Sequence, residues 1–187
     1  MYGLVNRAIE QLVVAHKGEA GWQRVCGRAQ VAGDGFIAMC PYHDDVTYAL
    51  VGAASEELGL TPAQVLEAFG EYWIRYTAEE GYGELLNAGG DDLRGFLLGL
   101  NDMHGRVETV FPQMRLPAFE VEDVGPGDYW LHYESERAGL APMVLGLVRG
   151  LAIRFGQSVQ VTLEPAPGAS AHRASFRVRH LDAGVAA

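Results

Sequence analysis

Tyr133, Ser135 and Arg137 stand at every second position of the stretch "WLHYESERAGLAPM", with Glu134 and Glu136 between them. Alternate side chains of an extended strand point to opposite faces, so the phenol, hydroxyl and guanidinium share one face and the two acids the other. Two hydroxyl donors beside a planar guanidinium fork form a set suited to gripping one or two carboxylates. An exposed strand end whose arginine pairs with a neighbouring acid gives the same pattern with no ligand at all. A second feature bears on the choice. In "DDLRGFLLGLNDMHGRVETVF", Leu93, Leu97, Leu100, His104, Val107 and Phe111 are spaced by alternating fours and threes, which places them on one helical stripe. His104 takes a slot where the pattern asks for leucine, facing the core. A hydrogen-bonded core histidine fits such a slot. So does an axial haem ligand, a neutral imidazole that holds iron through one nitrogen and hydrogen-bonds through the other. A haem brings two propionates, the groups that the first set of residues is suited to hold, so the two features account for each other.

The elements that must position these residues follow from periodicity. Val5, Ile9, Leu12 and Val13 share a face of an opening helix. Asp44 or Asp45, after the loop "VAGDGFIAMCPYHDD", is a candidate cap for the next helix. Thr61, Pro62 and Gln64 spell a capping box with proline at the first helical position, ahead of an apolar face through Leu66, Phe69, Trp73 and Tyr76. A further helix covers roughly residues 91–111. Beyond it the period changes to two. "AFEVEDV", "DYWLHYESE", "SVQVTLEPA" and "HRASFRVRH" alternate as strands, with turns at "GPG" and "APGAS", and the apolar helix "GLAPMVLGLVRGLAIRFG" interrupts them. The expected fold class is α+β, in one domain over 1–187: a helical lobe over 1–60, then a lobe over 61–187 built on a four-stranded antiparallel sheet.

Composition narrows the function classes. A net charge of −10, from 14 basic and 24 acidic side chains, opposes non-specific binding to nucleic acid or an anionic membrane. No apolar run approaches a membrane span, and the N-terminus lacks signal-peptide features, so a cytoplasmic location is expected. Cys26 and Cys40 read as free thiols, and Cys40, His43 and Asp44 lack a fourth metal ligand at a convincing spacing. His132 points away from the clamp by strand alternation, while His16, His172 and His180 read as solvated residues near element ends. The run "EEGYGE" reads as a charged loop. No Ser-His-Asp set, paired carboxylates, P-loop or dinucleotide fingerprint is evident.

The motifs "HYESER" and "LNDMHGRV", with "FPQMRLPAF" after them and the "MYGLVNRAIEQLV" start, resemble those of the H-NOX family, the haem nitric oxide/oxygen-binding domains that include the sensor domain of soluble guanylate cyclase. The resemblance spans essentially the whole chain. It implies haem b between a distal helical lobe and a proximal lobe, His104 as the proximal iron ligand, and Tyr133, Ser135 and Arg137 on the propionates. Pro117 would press on the porphyrin, with Pro112 the alternative in a shifted alignment. The family's distal positions fall on Val5, Ile9, Leu66, Trp73 and Met143, or on Pro142 instead of Met143 if a gap is placed differently. Members that bind O₂ stably use a distal tyrosine. Met143 and Pro142 cannot donate a hydrogen bond, and Trp73 reads as packing, so an NO-selective sensor that also takes CO is expected. NO would weaken the iron–His104 bond, flatten the haem against Pro117 and shift the His104 helix, with Gly105 either a hinge or a glycine chosen for close packing. For stand-alone bacterial members the expected partner is a separate histidine kinase or cyclic-di-GMP enzyme. Two alternatives remain: a haem-free pocket for a small hydrophobic ligand, and a haem enzyme, which would need a distal acid/base pair.

Overall fold

The structure, a computed structural model, describes residues 1–33, 35–78, 83–87, 89–165 and 169–181. In chain order these form α1 (Gly3–Ala29), α2 (Asp44–Leu58), α3 (Pro62–Thr77), α4 (Gly83–Asn87), α5 (Leu93–Val110), β1 (Ala118–Gly125), β2 (Asp128–Glu134), α6 (Ala141–Arg154), β3 (Val159–Glu164) and β4 (Arg173–His180). The strands make one antiparallel sheet in the order β1-β2-β4-β3. This is the expected α+β architecture. Most of the "EEGYGE" run, part of the "APGAS" turn and the tail from residue 182 lie outside the described residues.

Local chemistry sets the element boundaries. Thr61 caps α3 in the full capping box: its hydroxyl accepts the Gln64 N–H, and Gln64 Oε1 accepts the Thr61 N–H at 2.9 Å. Asp92 caps α5 through the Gly95 N–H at 2.6 Å. α1 runs further than its opening pattern suggests, across a break at Gly18, where φ of 66° favours glycine. His16 is therefore inside a helix, its Nδ1 against the Leu12 carbonyl, rather than at an element end. The expected cap on α2 is not formed. Asp44 is the first residue of the helix, His43 holds the cap position without a side-chain bond, and the Asp44 carboxylate is used elsewhere.

Two apolar cores result. One gathers Ile9, Leu12, Trp22, Leu50 and Phe69 from α1, α2 and α3. The other packs Leu93, Phe96 and Leu97 of α5 and Val148 of α6 on the inner face of the sheet, against Leu131 and Phe176. α3 serves both: Val65, Phe69 and Tyr76 enter the first core, Ile74 the second, and Trp73 packs against each. The joint with α6 is close. A Cβ on Gly70 would land on the Met143 carbonyl, and one on Gly146 on the Glu67 carbonyl. α1 and α2 are tied by Arg24 and Arg28, which grip the Glu57 carboxylate at 2.6 Å and 2.7 Å.

Candidate functional site

His104 lies one turn beyond Leu100 on α5, where burial of the stripe begins to thin: Leu93, Leu97 and Leu100 are buried, His104 and Val107 half-buried. Its Nδ1 stands 2.9 Å from the Pro117 carbonyl. A carbonyl only accepts, so Nδ1 carries the proton and Nε2 keeps a lone pair. Burial is the larger influence on the ring and holds its pKa below the ordinary value, against the opposing Pro117 hydrogen bond. A neutral imidazole with one nitrogen anchored and the other basic is what a metal ligand requires. Pro117 thus meets His104 through its carbonyl, whereas Pro112 is exposed and its carbonyl accepts from Arg115. Phe119 stands between His104 and Tyr133, its ring 6.0 Å from the first and 5.5 Å from the second.

The clamp keeps the alternation expected of it, although β2 ends at Glu134. Tyr133 and Ser135 are buried, Glu134 and Glu136 exposed. The ladder is prolonged by one bond, from the Ser135 N–H to the His172 carbonyl at 2.9 Å, and His172 Nδ1 returns to the Ser135 carbonyl at 3.1 Å. His172 is therefore a buttress of the clamp rather than a purely solvated residue. Burial raises the Tyr133 pKa, with a smaller opposing effect from its hydrogen bond to Ser135, so the phenol stays a donor near neutral pH.

Arg137 combines both sequence readings. It does pair with an acid, but one 93 residues away: Nε donates to Asp44 Oδ2 at 2.9 Å, and Nη1 to the Arg115 carbonyl at 2.6 Å. Its Nη2 has no partner among the described residues, leaving donors for a ligand carboxylate. Asp44 also takes the Met1 ammonium. Burial works to raise its pKa, but the hydrogen bonds from Met1 and Arg137 prevail and hold it below the usual carboxylate value. The donor set thus fits a haem: an imidazole with a free nitrogen and, for acidic arms, the remaining guanidinium nitrogen beside the Tyr133 and Ser135 hydroxyls, which bond each other.

The distal positions come together in space. Ile9 is buried in the first core, and Val5, Leu66, Trp73 and Met143 pack against the same cluster. The Trp73 ring lies 5.8 Å from that of Phe69 and 6.0 Å from that of Tyr76. A Cβ on Gly105 would meet nothing within 4 Å, and the residue sits in unbroken helix, which removes close packing as its reason. His132 does face away from the clamp, where the fold assembles a trio hidden from sequence reading: Nδ1 is 2.8 Å from Ser175 Oγ and Nε2 3.2 Å from Glu122. The strand pairing commits the flanking backbone to the ladder, so the trio lacks the oxyanion donors that acyl transfer needs.

Asp44, Phe119 and His172 escaped the sequence reading because each meets the site only through tertiary contact. Asp44 carried a local signal, but for a helix cap.

Known proteins resemble this chain in sequence and in fold. The chain is 31% identical over 185 residues to soluble guanylate cyclase gcy-35 of Caenorhabditis elegans, and 34% over 157 residues to gcy-32 of the same organism, covering 97% and 82% of this chain. It spans about a quarter of those relatives' own lengths, 27% and 23%. The fold matches an H-NOX protein from S. oneidensis in its Fe(II) state, as a substituted variant, with TM-score 0.87 and 20% identity over 97% of each chain. The Fe(II)NO state of an H-NOX protein from S. oneidensis superposes with TM-score 0.85 and 21% identity, over 97% of this chain and all of that one. The Haem-NO-binding family matches over residues 2–163. By that match and these relatives, the chain belongs to the Haem-NO-binding family, as an H-NOX haem-binding sensor domain related to soluble guanylate cyclases.

Proposed function

We propose that this domain senses NO through a ferrous haem b held by His104, and passes the signal to a separate effector without catalysis of its own. The observation that carries the reading is the geometry of His104: half-buried on α5, anchored to the Pro117 carbonyl by Nδ1, with Nε2 available. When bound, the haem would supply an iron that takes NO or CO, and His104 would hold that iron through Nε2. The chain does the rest. Arg137, Tyr133 and Ser135 hold the acidic arms, Pro117 stands beside the ligand, and Val5, Ile9, Leu66 and Met143 offer no hydrogen-bond donor to stabilise polar bound O₂. Trp73 has an indole N–H, but its ring is engaged in the aromatic cluster with Phe69 and Tyr76. Were His104 released, α5 and the β1 backbone that it contacts could reposition together against the helical lobe and present a changed surface.

The effector we favour is a histidine kinase or cyclic-di-GMP enzyme, met in the cytoplasm. No helix among the described residues is long and apolar enough to cross a membrane.

Absorption spectra of the ferrous protein alone, in air and with NO test the reading. The expected results are a haem spectrum, no stable oxygen complex, and loss of histidine ligation on adding NO. His104→Gly should lose the ferrous signature and regain it with added imidazole. Protein that stays colourless on mixing with haem would instead favour a pocket for a small hydrophobic ligand.

A further inference from the structure

β1 is an edge strand, so one side of its backbone has no strand beside it among the described residues. On that side α5 supplies the partners. Asn101 Nδ2 donates to the Phe119 carbonyl at 2.6 Å, and Asn101 Oδ1 accepts the Phe119 N–H at 2.9 Å. A carboxamide so placed offers the donor and acceptor that a neighbouring strand residue would offer. Three residues further along the helix, His104 Nδ1 donates to the Pro117 carbonyl. A step of three on the helix matches a step of two on the extended chain, because residues 117 and 119 turn their polar groups to the same edge. The lacing continues both ways. Arg94 Nε donates to Asp123 at 2.9 Å, and Glu108 accepts the Leu116 N–H at 3.2 Å. One stripe of α5 (94, 101, 104, 108) is thus fastened to residues 123, 119, 117 and 116 in antiparallel order.

We infer that Asn101 is a positioning residue for His104. Its two bonds to one residue's backbone fix the roll and the slide of α5 against β1, and so set the length and angle of the His104–Pro117 hydrogen bond. The inference rests on the reading of His104 as the iron ligand, and adds what tunes that ligand. A hydrogen bond donated from Nδ1 raises the basicity of Nε2 and orients the ring, and such bonds weaken steeply as they bend. A single contact would let the helix roll about it. The paired contact of Asn101 defines a plane and removes that freedom. Asn101 is itself solvent-exposed, so water can replace its bonds when it is lost. Orientation of His104 is therefore separable from stability of the fold.

Resonance Raman spectroscopy of the ferrous, haem-loaded protein reads the iron–histidine stretch directly. Asn101→Ala is expected to keep haem but to lower and broaden that band, and to speed amide exchange at Phe119 by roughly tenfold or more. Asn101→Asp keeps the acceptor for the Phe119 N–H and loses the donor, so its band should fall between the two. Arg94→Ala, which cuts an exposed ion pair near the start of the same helix, should leave the band in place. A ferrous wild-type spectrum without an iron–histidine band would sink the ligand assignment, and this inference with it. A band that is present but unmoved in Asn101→Ala, while Phe119 loses protection, would sink this inference alone. So would an Arg94→Ala shift as large as that of Asn101→Ala, because general loosening of the helix would then suffice.

Discussion

Arg137 pairs with Asp44 and holds the Arg115 carbonyl on one guanidinium, and in the function proposed above its remaining nitrogen serves a propionate. Charge-assisted bonds of this kind contribute about 1.5–3 kcal/mol each, above neutral ones. Arg137→Ala is therefore expected to weaken haem retention by about ten- to a hundredfold, measured as the rate of haem transfer to an acceptor globin. Tyr133→Phe should cost less, since it removes one neutral donor from a site that stays apolar, and a larger loss from Tyr133→Phe would contradict the ranking. Lysine at 137 should not rescue, because an ammonium lacks the planar fork that serves several acceptors. At this scale the sequence was legible wherever chemistry is periodic. Two-residue spacing brought Tyr133, Ser135 and Arg137 to one face, and the helical stripe set His104 inward. It was illegible where a partner arrives from far along the chain: no local pattern ties Asp44 to Arg137, and the same aspartate's place before a helix suggests a cap instead.

Helices α1 and α2 are held by a fork of two arginines on one carboxylate. Hydrogen bonds from Arg24, then Arg28, bring the Glu57 pKa from its ordinary 4.5 to about 2. A carboxyl whose pKa is depressed by folding stabilises the fold fully above its unfolded value, and that contribution fades as acid titrates the folded form. The stability gap between the wild type and Glu57→Gln should accordingly be constant above about pH 5 and close as pH falls toward 2, as read from thermal unfolding of the two proteins side by side. A gap that persists unchanged at the acid end would mean that packing of the side chain, rather than its charge, ties the helices. Elements were legible in the same uneven way. The capping box of α3 and the four alternating strands announce themselves, because each is written in neighbouring residues. The length of α1 does not, since the helix continues past Gly18 on tertiary support from Trp22, Val25 and Cys26 in the first core.

Across the whole molecule, two apolar cores meet along α3; Tyr133 belongs to one, and Val5, Ile9, Leu66 and Met143, which we propose line the distal side, gather at the other. A group bound between them would stabilise both together, since anything that binds only the folded state adds to its stability. The sheet was visible in the change from helical to strand periodicity, whereas the sharing of α3 was not, because one amphipathic pattern cannot say how many neighbours a helix has. That sharing has a kinetic consequence. A helix whose first turn is fully capped can form early, and one that feeds both cores offers each of them a template. Thr61→Ala, which costs about 1 kcal/mol of helix stability, is then expected to slow refolding several-fold and leave the unfolding rate nearly untouched. Stopped-flow refolding and unfolding arms would register this directly, and an effect confined to the unfolding arm would place α3 among the last elements to assemble.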